Sequence, residues 1–155
     1  MVTATTRIRL EKQAYASNDE AWGDHLNEGV FDPLDEAIAG YVAVALVGNY
    51  TLDVQNFISD EARNATIKFT GTGTFTVTAP AVEKTYIIWN ACTGDLTLKP
   101  SGGTGSIIRA GKKAVWFTDG TTGYTLDPTL DEIKTAAADV DIGGNKLLNV
   151  DPGTT

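Results

Sequence analysis

The sequence predicts a mainly β protein: a small β-sandwich or jelly-roll-like domain, with an N-terminal helical arm before it and a short C-terminal helix leading to an extended tail after it. Three observations carry this. Threonine, favoured in strands and poor inside helices, supplies fourteen of the 62 residues from 64 to 125. Apolar and polar residues alternate there, as on a strand with one buried face. Ala65, Ile67 and Phe69 alternate with Thr66, Lys68 and Thr70, and Phe75, Val77 and Ala79 with Thr74, Thr76 and Thr78. Turn chemistry separates the runs, at 71–73, 79–80, 93–95, 100–105, 110–112 and 119–120.

Residues 1–40 read as an extended arm followed by helix. Ser17-Asn-Asp-Glu20 offers N-cap candidates and first-turn acids. Trp22, Leu26 and Val30 stand four residues apart and make one apolar stripe. Asp32-Pro33 restarts the helix, because proline's missing N–H costs nothing at the first helical position. Leu34 and Ile38 continue an apolar face and Gly40 ends it, giving two short helices or one kinked at Pro33.

Residues 41–125 read as the β module, with about seven to nine short strands. Tyr86-Ile-Ile-Trp89 and Ala114-Val-Trp-Phe117 are apolar at every position, so strands buried on both faces are expected there. Residues 126–155 begin with a second Asp-Pro start, Asp127-Pro128. Leu130, Ile133 and Ala137 then make a narrow stripe over a helix too short to stand alone in water. The tail, 139–155, has no core of its own.

Length, charge and cysteine usage narrow the function. At 155 residues the chain holds one ordinary domain plus extensions. Its net charge of −8 is uneven: eight acids against three bases in residues 1–40, three against six in 64–125, six against two in 126–155. That balance argues against a broad nucleic-acid surface. No apolar run approaches the ~18 residues of a membrane span, so no membrane insertion is expected. The first ten residues lack the apolar stretch of a secretory signal. Cys92 is the only cysteine, which excludes an intrachain disulfide and a multi-cysteine metal site; a buried thiol is expected.

The catalytic inventory is thin. His25, the only histidine, sits among acids in a helical stretch, and a solvated or capping role is expected rather than a dyad with Cys92. Gly105 to Lys113 has five residues between its glycines and Lys113 in place of Ser or Thr, so a β-turn is expected rather than a phosphate loop. Asp139 to Asn145 places oxygens at alternate positions but lacks the closing glutamate of a calcium loop. Asp35/Glu36 and Asp131/Glu132 fall in first helical turns, where the helix dipole accounts for them. Trp89 and Trp116 are expected in the core. Tyr124, beside Gly123, is the candidate surface aromatic for a glycan contact. No catalytic residue, metal or cofactor is expected.

Several ordered motifs resemble one family. Trp22-Gly-Asp-His-Leu-Asn-Glu-Gly-Val-Phe-Asp-Pro-Leu-Asp-Glu-Ala-Ile38 is similar to a segment W-G-x-x-L-N…D-x-L-D-x-A-I. Glu61 to Gly71 and Thr76 to Ala91 are similar to A-R-N-A-x-L-x-F-T-G…V-x-V-P-A-x-x-K-x-Y-x-V-x-N, and Gly102 to Gly105, Ala110 to Lys112 and Asp119-Gly120 to the turns that follow. Asp139 to Thr154 resembles a recurring shaft segment with G-N-K and D-P. Together these resemble bacteriophage tail fibre or virion fibre proteins, in their N-terminal attachment region with its β module. Cys92 departs from the small polar residue common there.

The resemblance implies a homotrimeric, non-enzymatic structural component of the virion surface, made in the host cytoplasm. Residues 1–40 would anchor it to a tail, baseplate or capsid protein through Arg7, Arg9, Leu10, Trp22 and Leu26. Residues 41–125 would form a collar. Residues 126–155 would lead into a shaft and a distal part that meets host surface glycan. Leu34, Ile38, Leu130, Ile133 and Leu147 would line the trimer interface. A capsid fibre or spike, and a carbohydrate-binding module, are the alternatives.

Overall fold

The computed structural model describes residues 3–14 and 20–126. The expected C-terminal helix and tail lie outside them.

A mainly β fold is observed, in two packed sheets. Strands β3 (Tyr41–Ala45), β5 (Thr66–Gly71), β7 (Glu83–Cys92), β10 (Lys113–Asp119) and β11 (Gly123–Leu126) form a five-stranded sheet in the order β11-β10-β7-β5-β3. Strands β4 (Tyr50–Thr51), β6 (Phe75–Ala79), β8 (Leu96–Pro100) and β9 (Ser106–Ile108) form a four-stranded sheet in the order β4-β6-β8-β9. Two further strands, β1 (Thr3–Ala4) and β2 (Glu11–Lys12), make a separate hairpin near the N-terminus.

The connectivity differs from an antiparallel jelly roll. β3, β5 and β7 pair in parallel, and so do β4, β6 and β8. Parallel neighbours need a crossover. Here each crossover runs through the opposite sheet, so β3–β4, β5–β6 and β7–β8 are three stacked coils. Antiparallel β9, β10 and β11 complete the sheets. β11 then meets β9 across the seam: Ser106 and Thr125 hydroxyls lie 2.6 Å apart, and Gly123 N–H donates to Thr104 O at 2.9 Å.

Period-two alternation builds the core. Val44, Ile67, Phe69, Tyr86, Ile88 and Trp116 face inward from the larger sheet, and Phe75, Val77, Ala79, Leu96, Leu98 and Ile108 from the smaller. Asn90 is buried among them without penalty. Its amide donates to Gly94 O and Ile108 O, and its oxygen accepts from Cys92 N–H. Cys92 is buried as expected, and burial pushes its thiol pKa up. The Gly105–Lys113 stretch is strand, turn and strand: Lys112 N–H donates to Arg109 O at 3.1 Å, and Gly111 has the positive φ of 74° that a type II turn demands there.

One expectation is corrected. Tyr86–Trp89 and Ala114–Phe117 are not buried on both faces. Tyr86, Ile88 and Trp116 point inward, while Ile87, Val115 and Phe117 point out and are exposed. The N-terminal segment holds two short α-helices, as expected, the second starting at Asp32-Pro33. Helix α1 (Trp22–Leu26) passes through a π-helical turn (Asn27–Phe31) into helix α2 (Asp32–Ala39). In the wider turn Asp32 N–H reaches Asn27 O, and the helix absorbs proline's missing donor without stopping.

Candidate functional site

A network of buried charge joins the hairpin, the helix and the sandwich. Asp60, on the loop before β5, is its centre. The Arg9 guanidinium donates twice to it, at 2.9 and 2.7 Å, and Gln55 N–H donates at 3.1 Å. Arg63 lies 3.3 Å from the same carboxylate and is fully buried. Its other N–H groups go to the carbonyls of Ile8, Gln55 and Ile58. Burial lowers the Arg63 pKa, and Asp60's charge opposes that shift.

Glu36 brings in the helix. One of its oxygens accepts from Asn64 at 2.8 Å and from Ser59 at 2.7 Å; the other lies 3.7 Å from Arg63. Lys84, at the start of β7, donates to the carbonyls of Arg63 and Asn64. Burial, followed by the Arg9 charge, pushes its pKa down to about 8. The Tyr86 hydroxyl donates to Ala62 O at 3.0 Å, and burial raises its pKa.

The hairpin is therefore held down at several points. Arg9 and Phe57 both take left-handed backbone conformations, with φ of 55° and 69°, and Phe57 N–H donates to Arg9 O. Such conformations are costly for side-chain-bearing residues and persist where surrounding contacts fix them. His25 Nδ1 lies 3.0 Å from Glu11 Oε2, and Gly29 is buried against the same glutamate. His25 thus has Glu11 as its partner, away from Cys92 at the end of β7.

These contacts relocate the candidate anchoring residues. Arg9 is spent inside the chain, so it offers no free guanidinium to a partner. Arg7 pairs with Glu83 at 2.8 Å on the surface. Leu10 is half-buried, and its N–H donates to the Thr5 hydroxyl oxygen. Trp22 is exposed and Leu26 half-buried. Of the interface candidates, Leu34 is half-buried and Ile38 exposed. Leu130, Ile133 and Leu147 lie outside the described residues, as do Asp131/Glu132 and the Asp139–Asn145 loop.

A second feature is the outer face of the five-stranded sheet. Strand register sets its side chains in rows. Ile87, Val115 and Leu126 share one, and Phe117 and Tyr124 the next. Another row runs Lys68, Trp89, Lys113. The two ammonium groups stand 4.1 and 4.5 Å from the Trp89 ring. Trp89 is therefore a half-buried outer-face residue, not the core residue expected, whereas Trp116 is fully buried. Tyr124 is at the surface, but its ring stacks on Phe117 at 6.2 Å between centroids, and its hydroxyl donates to Asp119.

Sequence reasoning missed the network that joins Asp60 and Arg63 to Glu36 and Arg9, which lie far from them along the chain. The two all-apolar strands carried the trace of the outer-face row, but they read as strands buried on both faces. No family model, curated protein or solved structure matches the chain.

Proposed function

We propose that the protein is a structural component of a phage particle: a homotrimeric tail fibre segment, without enzymatic activity, that anchors the fibre and leads to a distal receptor-binding part. One observation carries the reading beyond the motif resemblance. The outer sheet face leaves Ile87, Val115, Phe117 and Leu126 exposed in a single chain, at 49%, 37%, 36% and 65%. A contiguous apolar patch of this kind, spread over two adjacent rows, marks an interaction surface. The latched hairpin and helix support a rigid connector, with anchoring given to the exposed Trp22 end of the helix and not to Arg9.

Sedimentation equilibrium on the full chain tests the oligomer, with a trimer at micromolar concentration expected. Immunogold labelling of particles tests the location, with label expected at the tail. A monomer with unlabelled particles would sink the reading; label on the head would move it to a capsid fibre. The carbohydrate-binding alternative draws on Tyr124, one face of which is already covered by Phe117. Binding on a glycan array that is lost in Tyr124→Ala would favour that alternative.

A further inference from the structure

We infer that the outer face of the five-stranded sheet receives the acidic side of helix 22–39 from a second copy of this chain, so that copies meet head to tail around a closed ring. The inference rests on the homotrimer reading and names its interface.

The sheet supplies an apolar and basic end, its other end carrying Asp119 and the Glu83 that pairs with Arg7. Ile87, Val115 and Leu126 make the apolar row, beside Lys68 and Lys113 on either side of Trp89. Neither lysine meets a carboxylate among the described residues. Two like charges bracketing one ring repel each other, and an arriving carboxylate relieves that repulsion.

The helix supplies an apolar and acidic half. Residues 22–39 contain five acids and no lysine or arginine. Glu36 is used inside the chain. Asp24, Glu28, Asp32 and Asp35 are exposed and meet no base among the described residues. Alongside them Trp22, Phe31 and Ile38 are exposed at 59%, 53% and 71%, large areas for an ordered helix to leave in water.

Charge selects the pairing. Helix on helix would oppose acids to acids, and sheet face on sheet face would leave the four exposed acids of the helix without a base. Sheet against helix pairs opposite charges along with apolar surface. That contact uses two different surfaces, one given and one received by each copy. It closes into a ring when each copy turns by a fixed fraction of a circle.

The test is sedimentation equilibrium of the full chain at low and high salt. Lys68→Glu with Lys113→Glu is expected to weaken association at least about tenfold. Asp32→Lys with Asp35→Lys is expected to do the same, and the four changes together to restore it. Lys68→Gln with Lys113→Gln removes charge without reversing it; its milder weakening, with loss of salt dependence, guards against misfolding of the reversed variants. A monomeric wild-type chain would overturn the homotrimer reading and this inference with it. A wild-type trimer indifferent to both reversals would overturn this interface alone and assign the sheet face to another occupant. Weakening by each reversal without recovery in the combined variant would overturn the pairing of the two surfaces.

Discussion

Lys84 is the residue whose environment most directly sets a measurable property. It enters the buried network as a donor to two carbonyls, beside the cations Arg9 and Arg63 and the anions Asp60 and Glu36. Burial is the chief cause of its shift, and its pKa falls from 10.5 to about 8. The linkage sign follows from proton counts. Between about 8 and 10.5 the unfolded lysine holds its proton and the folded one has released it, so folding strengthens as pH rises through that window. Below about 8 both forms are protonated, and the contribution is constant. Cys92, Tyr50 and Tyr86 act in the opposite sense, because their folded pKa values are raised and the unfolded groups ionise first. Comparing the wild type with Lys84→Met cancels those groups. In urea titrations from pH 8 to 9.5 the difference in stability should tilt in favour of the wild type, by up to about 1.4 kcal/mol per pH unit. Parallel stability curves would show that Lys84 keeps its ordinary pKa.

Elements were legible in the sequence where one physical rule governs them. Period-two alternation located the strands Thr66–Gly71 and Phe75–Ala79, and the turn at Gly111 followed from glycine's access to positive φ. Elsewhere local pattern was ambiguous. An outward Ile87 or Val115 looks like a core residue in sequence, since both are apolar, and only the fold shows which face is covered. Asp32-Pro33 marked the start of the second helix to local rules, but nothing local announced the π-helical turn that joins it to the first. The Arg9–Asp60 pair spans 51 residues and leaves no periodic trace, so Arg9 read as a free arm residue. Gly123 shows how tightly one element can depend on another. It opens β11 against Trp116, and a Cβ there would overlap the indole ring, which is fully buried and has no room to retreat. Gly123→Ala should therefore cost about 1–3 kcal/mol, the range for overpacking a filled core. The urea midpoint measures this. Gly102, where a Cβ meets nothing within 4 Å but φ is +72°, provides a comparison in which backbone conformation alone acts.

At the scale of the whole molecule, the buried network decides whether hairpin, helix and sandwich behave as one body. Asp60 receives Arg9 from the hairpin and neighbours Arg63, which reaches toward Glu36 on the helix, while Lys84 ties the same loop to β7. Buried charges of this kind contribute little net attraction once desolvation is counted, but removing one partner leaves the rest poorly compensated. Arg9→Met takes away the cation that shields Asp60 most closely. Asp60 retains Arg63 and the Gln55 N–H, so the loss should fall below the usual range for an orphaned buried charge, at about 2 kcal/mol. The informative quantity is where that loss appears. If the three parts are coupled through Asp60, hydrogen exchange in Arg9→Met should quicken together at residues 3–12, at 60–64 and along the helix 22–39, because all of them open in one step. Faster exchange confined to residues 3–12 would mean that the hairpin is a passenger on an independently stable domain. A coupled response makes the helix a rigid extension of the sandwich, the property that the proposed connector role calls for.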